Sequence, residues 1–257
     1  MKSTKDIDLF LFDLDGTINM GDIPLKGAIE TLTRLTENGK RVCFVTNNSS
    51  KSKYDYLEKI RRLGYNARIE QIITSGMATA QYLSRHRPYK SVYVLGTDAL
   101  KREMGDYGIE MKEDADIVVL GFDTSLTYDK LFHACILLEK GREYIATHPD
   151  FVCPSEFGNM PDTGAIMALI EKTNGRRPSV IIGKPYAPMA EFVFDHCHIE
   201  PNKVAMVGDR LYTDVLFGKN NKMTSILVLT GETTIQMLND SDIKPDIVLE
   251  SVNDIEI

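Results

Sequence analysis

LFLFDLDGTINM, residues 9–20, is the stretch from which the fold can be read. An apolar run built for burial ends abruptly in Asp13 and Asp15, one residue apart, followed by Gly16 and Thr17. Period-two strand geometry aims both aspartates the same way, and Gly16 marks a chain already turning. Two carboxylates facing one point are costly unless a cation or a proton separates them. The stretch therefore reads as a core strand whose tip carries chemistry.

Working outward, short β-rich runs alternate with helical stretches. IDLFLF is followed by a predicted helix over 26–38, RVCFVT by a helix over 52–63 that ends at Gly64. Further strands are predicted at 91–96, 116–122, 143–148, 179–183, 203–209, 225–230 and 246–250. Helices are predicted at 76–86, 127–140, 164–174, 187–197 and 212–220. This βαβα rhythm predicts a parallel sheet with helices on both faces. No internal repeat or low-complexity tract interrupts it.

At 257 residues the chain is long enough for one large α/β unit or for a domain carrying a second. With 37 acidic against 30 basic residues the net charge is −7. Such a surface on average repels nucleic-acid polymers and anionic membranes, which are held mainly by clustered Lys and Arg. Any phosphate ligand must meet a local positive centre. Asp6 and Asp8 interrupt the apolar N-terminal stretch, no small-residue cleavage site follows, and no run approaches the roughly 18 apolar residues of a membrane span. A cytoplasmic protein is expected. Cys43, Cys135, Cys153 and Cys197 are far apart and form no C-x-x-C pair, so free thiols are expected. His196 and His198 flank Cys197, but near neighbours on a helix point different ways, so the three residues are not read as a ligand set.

Four strand tips carry polar motifs, and in open α/β sheets ligands collect beyond the carboxyl ends of the strands. The first is DLDGT. The second, VTNNSS at 45–50, offers hydroxyls, amides and a helix N-terminus to an anion. The third places Lys184 between Gly183 and Pro185; it is no nucleotide P-loop, because Pro follows the Lys and Pro178 stands where a glycine is needed. The fourth, MVGDRLYTD, sets Asp209 at a strand end and Asp214 five residues on. Each motif alone has a bland reading as a turn or a cap. All four in this order, each at the end of an apolar strand, point to one site.

In these motifs the sequence resembles the haloacid dehalogenase superfamily of phosphohydrolases, whose four ordered motifs match DLDGT, VTNNS, GKP and GDRLYTD. It is most similar to the NagD-like subgroup, which includes 4-nitrophenylphosphatases, through TNNSSKS, VGDRLYTDV and PDTGAIMALIEKTNGRRP, a likeness that runs across nearly the whole chain. The resemblance implies an α/β fold, with a Rossmann-like doubly wound parallel-sheet core and an inserted smaller α/β cap domain of C2 type. On that pattern 1–78 and 181–257 form the core and 79–180 the cap.

The resemblance implies a phosphomonoester hydrolase acting on small phosphorylated metabolites such as nucleotides or sugar phosphates, and on 4-nitrophenyl phosphate. In-line displacement at phosphorus needs a nucleophile, neutralised equatorial oxygens and a proton for the leaving group. Asp13 is the expected nucleophile, forming an aspartyl-phosphate, and Asp15 the acid and base. Thr46, Asn47, Asn48 and Lys184 are expected to hold the phosphate. With Asp13, Asp209 and Asp214 ionised and Lys184 protonated, the site stands near minus two. Each like-charge pair near 4 Å costs on the order of 4 kcal/mol at an effective dielectric of 20. A divalent ion relieves this, and all-oxygen ligation favours Mg2+. Its expected ligands are Asp13, the Asp15 carbonyl and Asp209, with Asp214 direct or through water.

Substrate choice is expected in the cap, where His148 and Asp162 stand at positions that carry Asn and Gly in many similar sequences. Three alternatives remain at this level. One is a phosphotransferase or mutase with a sugar hydroxyl as acceptor, and one is a receiver-like phospho-acceptor module, disfavoured by Asp15 and by the length of the chain. The third, dehalogenase chemistry, is disfavoured by Asp15 and the metal carboxylates. The expected partner is a small phosphate ester, and the expected assembly a monomer or homodimer.

Overall fold

The computed structural model describes residues 4–155 and 157–256. The chain divides into two units: Met1–Thr46, Tyr54–Ile73 and Lys184–Ile257 form the first, Asn47–Lys53 and Thr74–Gly183 the second.

The first unit is built on β1 (Leu9–Phe12), whose four residues have no exposed surface. A strand buried on both faces reads as a continuous apolar run, which is why LFLF shows no alternation. Phe10 and Phe12 point to one face and stack with ring centroids 6.3 Å apart. A small hairpin, β2 (Asn19–Met20) with β3 (Ile23–Pro24), leads into α1 (Ala28–Glu37), which buries Ala28, Leu32 and Leu35. Next come β4 (Arg41–Thr46), α2 (Lys53–Arg62) and β5 (Ile72–Thr74).

The chain then builds the second unit. Its elements are α3 (Ser75–His86), β6 (Val92–Leu95), α4 (Asp98–Asp106), β7 (Ile117–Leu120), α5 (Tyr128–Glu139), β8 (Glu143–Ala146), β9 (Val152–Ser155), β10 (Gly158–Pro161), α6 (Thr163–Asn174) and β11 (Val180–Ile181). The four-stranded sheet runs β11-β8-β7-β6 with all its pairings parallel, and β9 pairs with β10 antiparallel. Thr74, Thr97 and Thr127 cap α3, α4 and α5 by accepting a backbone N–H of the first turn, satisfying donors that the helix leaves unpaired. A core of Leu95, Val118, Leu120, Leu138, Tyr144 and Ile170 fills this unit.

Returning to the first unit, α7 (Ala187–Cys197) precedes β12 (Val204–Gly208), followed by α8 (Leu216–Asn220), β13 (Thr224–Val228), α9 (Ile235–Asp240) and β14 (Ile247–Leu249). The sheet order is β14-β13-β12-β1-β4-β5. The pairings of β1 with β4 and β12, of β12 with β13 and of β13 with β14 are parallel. Phe12 lies in register with both Val207 and Phe44, so β1, β12 and β4 end side by side. The strand order reverses at β1, which makes its carboxyl end the place where a crevice opens in such sheets.

The expected helix over 212–220 is two structures: a π-helical turn at Leu211–Val215, then α8. Val215 N donates to Arg210 O across the widened turn, and the Asp214 carboxylate accepts from Arg210 N at 3.2 Å. Helix α4, with only Leu100, Glu103 and Met104 buried, has no counterpart among the sequence-predicted elements. The same holds for α9, β2, β3, β5 and the β9–β10 hairpin, whose VCPS and GNMP carry prolines and no apolar period. Among the described residues no helix is long and apolar enough to cross a bilayer, and all four cysteines are free thiols. Cys43 and Cys197 are buried with their sulfurs 3.9 Å apart.

Because Phe12 is enclosed between two parallel neighbours, Phe12→Ala is expected to cost about 3–5 kcal/mol of stability. Urea unfolding followed by circular dichroism measures this, and a loss under about 1 kcal/mol would contradict the packing described.

Candidate active site

Asp13 follows β1 directly, and its N–H donates to Val207 O at 2.9 Å, extending the ladder by one residue. The nucleophile candidate is thus mounted on a strand whose every residue is fully buried. Lys184 Nζ lies 2.7 Å from Asp13 Oδ1, 2.7 Å from Asp214 Oδ1 and 3.1 Å from the Val45 carbonyl. All three donor positions of the ammonium therefore have partners. The lysine is 2% exposed. Burial alone would make it give up its proton, but Asp13 and Asp214 outweigh burial and hold its proton affinity above that of an ordinary lysine.

Carboxylate oxygens of Asp13, Asp209 and Asp214 all lie within 4.8 Å of one another. One Asp209 oxygen accepts from Glu232 N at 2.7 Å. The other, Oδ1, is buried with no hydrogen-bond partner among the described residues. Gly16 has φ +90°, and a Cβ there would stand 2.4 Å from Asp209 Oδ2; at Gly231 it would stand 2.0 Å away. Only glycine lets two backbone segments close on that carboxylate. The Gly16 carbonyl in turn accepts from Thr230 Oγ1 at 2.6 Å, which ties the DLDG turn to the segment that carries Gly231.

Sequence reasoning overlooked Arg210 and Glu232, which lie 2.9 Å apart, Nε to Oε2. Because each neutralises the other, the site keeps its excess of negative charge. The spacing G-D-R gave the only sequence signal for Arg210, and Glu232 carried none. Burial pushes Asp209 up to about 7, helped by the charges of Asp13 and Asp214. Burial likewise raises Asp214 to about 6, with Lys184 opposing and Asp13 adding to the shift.

Asp15 lies outside the three-carboxylate cluster. Its Oδ1 accepts from Asn19 Nδ2 at 2.6 Å, and Lys59 Nζ stands 3.2 and 3.3 Å from its two oxygens. Thr46 ends β4, 8% exposed. In the second unit, Asn47 Nδ2 lies 3.2 Å from an Asp150 carboxylate oxygen, and Asn48 Oδ1 accepts from the N–H and hydroxyl of Ser50. His148 and Asp162 meet each other: His148 Nε2 is 2.9 Å from Asp162 Oδ1, and its Nδ1 is 2.9 Å from Thr147 Oγ1. Both side chains are buried, and Asp162 caps α6. His148, Asp150 and Asp162 also cluster within 4.8 Å. A carboxylate only accepts, so Nε2 donates to Asp162, and Nδ1 is engaged by Thr147; both ring nitrogens are occupied within the protein and neither is free for a metal. The Asp13, Asp209, Asp214 set is different. Its hard oxygen donors, excess negative charge and orphaned Asp209 Oδ1 fit a divalent cation of the magnesium kind.

Fold and site together describe an α/β enzyme that handles an anionic group with clustered carboxylates and one buried lysine. Two family models match: haloacid dehalogenase-like hydrolase over residues 10–110 and HAD-hydrolase-like over residues 181–255. An acid sugar phosphatase of Staphylococcus epidermidis is 35% identical over 251 residues, covering 97% of this chain and 96% of that protein. The crystal structure of a 4-nitrophenylphosphatase from Thermotoga maritima superposes with a TM-score of 0.94 at 45% identity, covering 97% of this chain and 96% of that one. A p-nitrophenyl phosphatase from Archaeoglobus fulgidus follows with a TM-score of 0.92 at 32% identity, over 97% of this chain and 98% of its own. The chain belongs to the haloacid dehalogenase-like hydrolases, and within them it is a phosphatase of the NagD and 4-nitrophenylphosphatase kind.

Asp209 and Asp214 hold protons more tightly here than in an unfolded chain, where Asp ionises near pH 4. The folded form binds the extra protons between about pH 4 and 7, so the stability they contribute is lost as pH rises through 6 to 7. In chelator, the melting temperature is expected to fall between pH 5 and pH 8, and Asp209→Asn to flatten that fall. A melting temperature that rises over this range, with or without Asp209, would contradict the crowding of carboxylates.

Proposed function

We propose that this phosphatase hydrolyses small phosphomonoesters, sugar phosphates foremost, through a phosphorylated Asp13, with magnesium as its cofactor. The observation that carries the proposal is the placement of Asp13: a carboxylate at a rigid strand end, 2.7 Å from a buried lysine and clustered with two further carboxylates. The names of the relatives support hydrolysis over transfer to a second substrate, and sugar phosphates among the candidate esters.

In the first step an Asp13 oxygen attacks phosphorus in line, the bond to the leaving oxygen breaks, and Asp15 gives that oxygen its proton. In the second, water attacks the phosphorus of the aspartyl-phosphate while Asp15 takes a proton back, releasing phosphate and restoring Asp13. Proton transfer of this kind is worth about 10² to 10⁴ in rate. Lys184 keeps the attacking Asp13 carboxylate oriented and offsets charge on the transferred group. Magnesium would be held by Asp13, Asp209 and the Asp15 carbonyl, with Asp214 direct or through water, and would supply positive charge that lets a dianion approach a negative site. Thr46, Asn47 and Asn48 are kept as phosphate contacts on the strength of their motif.

His148 and Asp162 are buried, so any influence on substrate choice passes through the segment between them, which carries the β9–β10 hairpin. Their proposed role is to fasten the two ends of that segment. If so, His148→Ala and Asp162→Ala reorder a panel of phosphate esters by kcat/KM; an unchanged ranking in folded variants removes them from the specificity argument.

Phosphate release from 4-nitrophenyl phosphate tests the main reading. Activity is expected with magnesium, to vanish in excess chelator, and to drop by more than about 1,000-fold in Asp13→Asn. Turnover that persists in chelator for the native chain, or at near-native rate in Asp13→Asn, would refute it.

A further inference from the structure

Asp15 poses a positioning problem that its neighbours solve. Its side chain is about half exposed, at 52%, yet a proton donor must keep a fixed relation to the leaving oxygen. Asn19 supplies one restraint. It is completely buried, and its Nδ2 donates to Asp15 Oδ1 at 2.6 Å and to the Gly21 carbonyl at 2.8 Å. Its own carbonyl accepts from Gly16 N at 2.8 Å, closing the turn on itself.

The second restraint arrives from a different element. Lys59 sits on α2 three residues after buried Tyr56 and one before buried Ile60, beside the face that packs inward. Arg61 and Arg62 on the same helix are exposed, but the Lys59 side chain is only 11% exposed, and Nζ reaches both Asp15 oxygens. An ion pair with one exposed partner adds about 0–1 kcal/mol to stability, too little to account for ordering a long side chain along the helix. Its geometry matches a different task.

We propose that Lys59 is a positioning residue for the leaving-group proton. The inference rests on the phosphatase reading above. As the Asp13 to phosphorus bond forms and the ester bond breaks, the Asp15 proton passes to the leaving oxygen and Asp15 becomes a carboxylate. Lys59 and Asn19 then hold that carboxylate from two directions: the lysine ammonium faces the charge as it appears, and the amide fixes the plane.

The test compares kcat/KM for two esters, because that ratio reports the steps up to cleavage of the ester bond. 4-Nitrophenyl phosphate leaves as a weakly basic phenolate that needs little protonation, whereas glycerol phosphate leaves as a strongly basic alkoxide. Lys59→Met is expected to lower kcat/KM for glycerol phosphate by about 10- to 100-fold and for the aryl ester by less than about 3-fold. Lys59→Arg should recover most of the loss, and melting temperatures should stay within the range of the native protein. Asp15→Asn serves as the reference for the leaving-group pattern. If Asp15→Asn shows the pattern and Lys59→Met loses both esters equally or loses neither, the proposal for Lys59 is overturned while the phosphatase reading stands. Should Asp15→Asn itself treat both esters alike, the proton-donor role falls and the Lys59 proposal with it. A native chain that turns over neither ester would overturn the phosphatase reading itself.

Discussion

The ammonium of Lys184 is the point on which the rest of the first unit depends. It sits where the ends of β1 and β4 and the π-helical turn come together, holding Asp13 and Asp214 with 2.7 Å contacts to each and donating to the Val45 carbonyl. An unpaired buried charge of this kind costs about 3–5 kcal/mol, so no member of the group can be removed without disturbing the others. The same contacts define what remains unsatisfied. Three carboxylates around one lysine keep an excess of negative charge, and Asp209 Oδ1 is buried with no hydrogen-bond donor among the described residues. That excess is relieved by a proton or by a cation, and the hard oxygen donors of the three carboxylates fit a divalent one.

Local backbone irregularity makes that grouping possible. A regular α-helix beginning after Arg210 would place Asp214 by the 3.6-residue period alone. The wider π turn at Leu211–Val215 adds a residue to the ring and lets Asp214 meet Lys184 with one oxygen and the Arg210 N–H with the other. The turn at Gly16 similarly lets the chain leave β1 sharply, so that Asp13 stays with the cluster while Asp15 is taken up by Asn19 and Lys59.

How much of this could be read from residues follows from how each feature is encoded. Period and burial are local properties, so LFLF, RVCFVT and VAMVG announce their strands, and the four polar tips announce a shared end of the sheet. Pairing across distance is encoded differently. Lys59 lies 44 positions from Asp15, and in α2 it is one of four basic residues, with nothing in its spacing to distinguish it from a solvated one. Glu232 meets Arg210 from a loop with no periodic signal. The β9–β10 hairpin was hidden for a third reason: its residues are mostly exposed and include two prolines, so it lacks the alternation by which a half-buried strand is recognised. The split of the expected 212–220 helix depends on where one side chain finds its partners, which no window of neighbours contains.

The glycines around Asp209 and Asp214 have a consequence for how such a centre changes over time. Gly16 and Gly231 press on Asp209, and a Cβ at Gly208 would stand 2.3 Å from Asp214. The walls of the mould are thus made of backbone. A side chain in an outer loop has open space beside it, but any replacement at these three positions intrudes on Asp209 or Asp214 at once. Room for substitution therefore lies outward, in the loops, and not at the carboxylates that these glycines enclose. A survey that scans only polar residues would pass over the three positions that enforce this.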